Sequence, residues 1–424
     1  TNRLFKFGTH ILTLIKTNDY AGGTQIEAGT LRAGHDRAFG AVPGSVVSSN
    51  ITLWGGATLE VTNTFSFSAN RGFTIDNAGN GIVTVSSAHT GTIAGIITSD
   101  ASTEGLIKLG AGALTLSGAN SYIGKTHISN GVVRIAATNG LGTAAGDTTV
   151  ISGAALEIIG GISSYEPLAL NGTGISSTGA LRSISGNNAF TNTISLGAAS
   201  TVGVDTDTLT LAGVISGGAT LHLTKMGTGT LVLAGNNSFS SSLCISGGVV
   251  SVASINSSAS ADQPLGARSS SPGIRLGSPS YTGWTQRGAL RYTGNSSVVT
   301  PKSIRLTEAS EGGLEVTDAA VDLEISGVIS IGSTAASLYK SGPGRLILSG
   351  VNTYEGQTRI ETGVVRVASA EGLGNSGNSA NQDTYVSSGA ALEIAGGILV
   401  AERVNLNGTG LSSGGALRNT SGNN

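Results

Sequence analysis

The sequence predicts an all-β chain wound into a parallel β-helix, a solenoid built from tandem repeats of about 110 residues. Three observations predict it. A long motif returns four times. Apolar residues alternate with polar or small ones in short runs. Glycine-rich turns punctuate those runs, and no window carries helical periodicity.

The motif is clearest in its second copy, Leu109-Gly-Ala-Gly-Ala-Leu114-Thr-Leu116-Ser-Gly118-Ala-Asn120-Ser-Tyr122-Ile-Gly124-Lys-Thr126-His-Ile128, followed by Gly131, Val133, Arg134 and Ile135. The first copy is weaker: Lys6, Gly8, Leu12, Leu14, Asn18, Tyr20, Gly22, Thr24, Ile26, Gly29, Leu31 and Arg32. The third carries Lys225, Gly227, Gly229, Leu231, Leu233, Asn237, Phe239, Ile245, Gly248 and Val250. The fourth carries Lys340, Gly342, Gly344, Leu346, Leu348, Asn352, Tyr354, Gly356, Thr358, Ile360, Gly363, Val365 and Arg366. Measured between the asparagines, the spacings are 120 − 18 = 102, 237 − 120 = 117 and 352 − 237 = 115 residues.

A second block recurs between the motifs. Gly153-Ala-Ala-Leu156-Glu157-Ile158 returns as Gly389-Ala-Ala-Leu392-Glu393-Ile394, and Gly179-Ala-Leu181-Arg182 returns as Gly288-Ala-Leu290-Arg291 and Gly415-Ala-Leu417-Arg418. The expected organisation is one continuous β-helix over 1–424, with units at about 1–103, 104–218, 219–334 and 335–424, the last cut short. The apolar run Ile11–Ile15 aligns with the repeat, so it is read as a strand and not as a signal peptide. Both ends look cut from something longer.

Within each unit Leu114/Leu116, Thr126/Ile128 and Val133/Ile135 alternate with small or polar residues, the period of a strand with one buried face. Gly, Asn-Gly and Ser-Gly supply the turns because they tolerate positive φ. A propeller of four blades is the rival. Its blades are normally near 40–50 residues, less than half the repeat here, and circular closure tolerates unequal units poorly. Coils of about 20 residues stacked at about 4.8 Å per rung would give each unit about five rungs.

Composition narrows the function classes. The chain has 39% hydrophobic residues, enough for a core, and only 4% aromatic ones, so that core is aliphatic. Net charge is −2 and the 23 basic residues are scattered, which argues against nucleic acid as a partner. No apolar stretch is long enough for a transmembrane helix. The single cysteine, Cys244, excludes an internal disulfide. It lies between Leu243 and Ile245, so alternation points it outward as an incidental surface thiol.

The pattern Leu-x-Lys-x-Gly-x-Gly-x-Leu-x-Leu-Ser-Gly-x-Asn-x-Tyr-x-Gly-x-Thr-x-Ile-x-x-Gly-x-Val-Arg resembles the passenger-associated transport repeat of bacterial autotransporters. Thr201–Gly217 is similar to the segment that often precedes it. The resemblance implies a right-handed parallel β-helix, export to the cell surface or beyond, and roles in adhesion, aggregation or biofilm. No translocator barrel is recognisable in the sequence.

Catalytic chemistry is expected to be absent, as are cofactors and metal sites. The carboxylates Asp76, Asp205, Asp207, Glu315, Asp318 and Asp322 are the best acidic grouping for a polysaccharide lyase or hydrolase, and they read as turn caps. Gly410-Leu-Ser412-Ser-Gly414 matches a nucleophile elbow formally but lacks the following helix. His10, His35, His89, His127 and His222 show no metal-ligand spacing. Tyr281, Trp284 and Arg287 form the aromatic-plus-basic group to consider for glycan or partner contact. Asn18, Asn120, Asn237 and Asn352 are expected at turns. Tyr20, Tyr122, Phe239 and Tyr354 are expected to pack over those turns, or else to form a stripe for lateral association. Coils vary in length around 136–152, 253–272 and 368–388, where binding loops would sit. The expected function is a structural or adhesive segment of a secreted surface protein or fibre, with itself, glycans or other cells as partners. The alternative is a β-helical polysaccharide-degrading enzyme or glycan-binding module.

Overall fold

A computed structural model describes residues 2–100, 104–268, 272–277, 287–307, 311–332, 336–375 and 382–424. The chain forms two compact units, Thr1–Gly213 and Val214–Asn424, and each holds two copies of the motif. Each unit is a parallel β-solenoid. Among the described residues helical structure is limited to short 3-10 turns such as Asp36–Phe39.

In the first unit Leu106–Lys108 pairs with Thr126–Ile128, which pairs with Thr148–Val150, which pairs with Leu168–Leu170, all parallel and in register. A second column runs Ala113–Leu116, Val132–Ile135, Ala155–Ile158. In the second unit the matching columns run Leu338–Lys340, Thr358–Ile360, Thr384–Val386, Val404–Leu406 and Arg345–Leu348, Val364–Val367, Ala391–Ile394. Parallel pairing of like strands in successive coils excludes the propeller, whose blades are antiparallel meanders. Coil length is less even than expected: 19 residues from Ala113 to Val132, but 40 from Gly248 to Gly288.

The core is a stack of aliphatic side chains from alternate positions. Leu114, Leu116, Val133, Ile135, Leu156 and Ile158 are fully buried, as are Leu346, Leu348, Val365, Val367 and Leu392. Each such side chain contributes about 1.5–3 kcal/mol.

Three inward devices recur with the motif. The first is a buried lysine. Lys108 Nζ donates to the carbonyls of Leu109 (2.8 Å) and Gly110 (2.7 Å) in its own coil and Asn130 (3.1 Å) in the next. Lys6, Lys225 and Lys340 do the same with Phe7, Gly8 and Ala28; with Met226, Gly227 and Gly247; and with Ser341, Gly342 and Thr362. Burial pulls the Lys108 and Lys340 ammonium groups down to about 8. The three carbonyls oppose that pull, because a neutral amine has only two N–H bonds to offer them.

The second device is the asparagine. Asn120 Oδ1 accepts from the Ile97 amide (2.8 Å) of the coil before, and its Nδ2 donates to Gly140 (2.6 Å) in the coil after. Asn237 bridges Ile215 and Pro264, and Asn352 bridges Ile329 and Gly372, in the same way. Asn18 donates to Ala38 (2.7 Å). These side chains sit at turns, and Asn120, Asn237 and Asn352 each join three successive coils.

The third device is the aromatic ring two residues later. Tyr122, Phe239 and Tyr354 are fully buried, and Tyr20 is half-buried. The stripe reading fails at Tyr122, Phe239 and Tyr354, since rings wholly inside the solenoid cannot associate laterally. A glycine of the next coil lies against each ring. At Gly142, with φ +91°, a Cβ would stand 2.5 Å from the Tyr122 carbonyl oxygen and 3.0 Å from its ring. Gly40, Gly266 and Gly374 hold the equivalent places against Tyr20, Phe239 and Tyr354.

Candidate functional site

With the inward stations occupied by the same devices in every copy, differences between copies must lie outward. The clearest place is the outward-facing residue immediately before each clamp lysine and its register partners in later coils. In the first copy that column reads Phe5, Gln25, Thr52, Thr74. In the second it reads Ile107, His127, Thr149, Ala169. In the third it reads Thr224, Cys244, Arg275, Arg305. In the fourth it reads Tyr339, Arg359, Tyr385, Asn405. The same scaffold thus presents four different surfaces.

The fourth column is the one rich in recognition chemistry. The Arg359 guanidinium lies between two rings on neighbouring rungs, 5.6 Å from the Tyr339 centroid and 5.7 Å from that of Tyr385. Arg287 stacks on Tyr339 at 3.8 Å and pairs with Glu311 and with Glu361 (3.1 Å). The Tyr339 hydroxyl donates to Glu311. Burial, then that hydrogen bond and the carboxylate's charge, push this hydroxyl up to about 12. Gly313 is the register partner of Tyr339 one rung before it, and a Cβ there would stand 2.8 Å from Ala289 Cβ. Of the three residues expected to contact a glycan, Arg287 is found here. Tyr281 and Trp284 lie outside the described residues. The sequence reading missed Tyr339, Arg359 and Tyr385, which become neighbours only once the coil lengths are known.

Arg134, Arg182, Arg345, Arg366 and Arg418 belong to charge ladders, while Arg305 of the third column donates to the Gly332 carbonyl (3.2 Å). Arg134 pairs with Glu157 (2.6 Å), Glu157 with Arg182 (3.4 Å) and Arg182 with Asp205 (2.7 Å). In the second unit Glu393 takes Arg366 (2.7 Å), Arg418 (3.1 Å) and Arg345 (3.4 Å), while Asp322 also takes Arg345 (2.9 Å). Glu315 pairs with Arg291 (2.8 Å), Asp207 accepts from the Gly186 amide (2.8 Å), and Asp318 accepts from Ala320 (2.9 Å). These carboxylates are spent on turns and ladders. Asp76, Asp100 and Glu104 bring one carboxylate oxygen each within 4.8 Å of one another, and Glu104 also accepts from the Ala78 (2.9 Å) and Asp100 (3.2 Å) amides.

Two further expectations are refined. Cys244 points away from the core as alternation requires, yet it is only 4% exposed and burial pushes its thiol up, so it is not a surface thiol. Its register partners are Thr224 one rung before and Arg275 one rung after. Ser412 lies in a 3-10 turn, Leu411–Ser413, with φ +50°. Ser176 occupies the same turn in Ile175–Ser177, with φ +49°. The strained serine is therefore a repeated corner of the coil, lying outside any strand-to-helix elbow.

Some inward charges carried no sequence signal. Arg71 is fully buried, paired with Asp36 (2.7 Å) and donating to Phe39, Gly40 and Asn50. Glu166 and Glu402 are shielded carboxyls at equivalent places, accepting from Thr148 (3.3 Å) and Thr384 (3.1 Å). Burial pushes them up to about 8 and about 7.

Comparison with known proteins agrees with this picture. The family pattern described as the passenger-associated transport repeat matches residues 4–33, 106–135, 223–252 and 338–367. The chain is similar to an adhesin autotransporter, BmaC, of Brucella suis biovar 1 (strain 1330), with 31% identity across 97% of this chain. The chain spans 11% of that relative's length. No solved structure matches it. Among the described residues no helix is long and apolar enough to cross a membrane.

Proposed function

Because the chain is autotransporter passenger sequence, of a kind secreted to the outer cell surface or the extracellular space, we propose that it is a non-catalytic adhesive segment. Its coils act as a stiff scaffold, and its outward columns meet surfaces, glycans or other cells. The observation that carries this reading is the contrast between constant inward devices and changing outward columns. A chain selected for turnover would keep one set of outward groups; a chain selected for contact is free to vary them. Mechanically, each rung adds a parallel ladder of backbone hydrogen bonds, so stiffness accumulates with length.

The test is adhesion of beads coated with the purified chain to intact animal cells, scored against albumin-coated beads. The expected result is adhesion at least severalfold above albumin. Adhesion at the albumin level would end the adhesive reading.

A further inference from the structure

We propose that the column Tyr339–Arg359–Tyr385 is a binding site for an acidic, carboxylate-bearing polysaccharide. The proposal rests on the adhesive reading and gives it an address and a ligand class.

The argument begins with charge. Arg345, Arg366, Arg418 and Arg291 each have a carboxylate within ion-pair distance. Arg287, on the same column, is taken by Glu311 and Glu361. Arg359 is different. Among the described residues no carboxylate pairs with it, and its Nε donates to the neutral Gln357 Oε1 (2.8 Å). A guanidinium has five N–H bonds in a planar fork that fits a carboxylate. Arg359 is exposed, so the rest of that fork remains for a ligand.

The second step is position. Tyr339 and Tyr385 flank Arg359 on the rungs before and after, which fixes the guanidinium by cation–π contact from both sides. Pinning the long side chain in the free protein lowers the ordering cost of binding. The half-buried Tyr385 adds an aromatic surface beside the charge, and Asn405, whose Nδ2 donates to Asp383 (3.0 Å), adds an amide oxygen on the next rung. Cation, ring and amide in a row at rung spacing suit a chain of sugar rings in which a carboxylate meets Arg359 and a pyranose face meets Tyr385.

The third step is contrast within the molecule. The equivalent second-copy column, Ile107–His127–Thr149–Ala169, has the same backbone and the same lysine clamp beside it but neither tyrosine nor arginine. It serves as an internal control.

The test uses the full chain and two immobilised polymers, polygalacturonate and the neutral galactan. Binding to polygalacturonate, weakening as salt rises and absent on galactan, is expected. Arg359→Ala should lower that binding at least tenfold and Tyr385→Ala severalfold, while His127→Ala leaves it unchanged. Unaltered circular dichroism and melting would show that the three substitutions leave the fold intact. Equal binding by Arg359→Ala and the parent chain, or equal binding to both polymers, would overturn the proposal. If coated beads adhere to cells but the chain ignores polygalacturonate, the site falls and the adhesive reading stands. If neither adheres, both fall.

Discussion

The second and third copies of the motif solve the same packing problem with opposite chemistry. In the second copy the core ring is Tyr122, whose hydroxyl meets Thr126 Oγ1 at 2.6 Å. Thr126 stacks on Thr148, and Thr148 donates to Glu166. In the third copy the ring is Phe239, and the column beside it reads Leu243, Ile274, Ile304. The ring hydroxyl and both threonines are gone, and buried Lys302 stands where the second copy has Glu166, donating to the carbonyls of Ala259 (2.8 Å) and Arg268 (3.1 Å). The fourth copy repeats the polar version, with Tyr354, Thr358, Thr384 and Glu402. The lesson is that a solenoid interior accepts a hydrogen-bonded column or an apolar one at the same station. The ring hydroxyl and the threonine that meets it change together, because a lone buried hydroxyl costs about 1–3 kcal/mol when its partner is removed. The lysine clamp is common to both versions, so the polar column is an option while the clamp is a requirement.

The sharpest way to test that division is to break the requirement in each region. Lys108→Met and Lys225→Met each strand three carbonyls of two successive coils. At about 1–3 kcal/mol for each of three unsatisfied groups, either change should cost about 3–9 kcal/mol, alike in both copies. Hydrogen exchange of the full chain reads the loss locally at strands Thr126–Ile128 and Leu243–Ile245. Exchange unchanged in either strand would mean that the clamp is ornamental there.

The next effect separates the regions by pH. Glu166 is a carboxyl whose folded value is raised from 4.5 to about 8, so the folded state holds its proton over a range where the unfolded chain has lost it. Stability around the second copy is therefore highest below about pH 4.5 and falls as pH rises through about 8. At about 1.4 kcal/mol per unit the loss is on the order of 3–5 kcal/mol. Asp147, which raises Glu166 further by its charge, is itself paired with Lys125 (2.9 Å). Glu402 gives the fourth copy a smaller slope of the same sign, ending near pH 7. The third copy has no acid at this station. Protection at Thr148–Val150 should drop between pH 5 and 9 after correction for intrinsic exchange, and Glu166→Gln should flatten the profile. A flat profile in the parent chain would remove Glu166 from the argument.

Much of this was readable before any coordinates. The recurring Lys, Asn, aromatic and Gly positions marked the stations, and alternation at Leu114/Leu116 and Val133/Ile135 gave the buried face. What each station does was not readable. The acceptors of Lys108 are carbonyls, which carry no residue signature, and one lies 22 residues away in the next coil. Gly142 follows Tyr122 by 20 residues, but Gly266 follows Phe239 by 27, so a longer coil hides the pairing from any fixed period. Tyr339, Arg359 and Tyr385 are 20 and then 26 residues apart for the same reason. Alternation also failed to see that Cys244 is shielded, because alternation gives direction while cover comes from neighbouring coils.

The finest test converts one region into the other. Tyr122→Phe alone deletes the partner of Thr126 and should cost about 1–2 kcal/mol. Thr126→Leu alone leaves the Tyr122 hydroxyl buried against a methyl group, and should cost at least as much. Together they reproduce the Phe239/Leu243 pair that the chain already uses, so the double change should cost less than the sum by about 1–2 kcal/mol. The reverse change, Phe239→Tyr, inserts a hydroxyl opposite Leu243 and should be destabilising until Leu243→Thr supplies the missing partner. Local hydrogen exchange at Thr126–Ile128 and Leu243–Ile245 provides both cycles in one molecule. Strict additivity in the two cycles would mean that ring and neighbour are chosen independently, and the matched loss of polar groups in the third copy would then be coincidence.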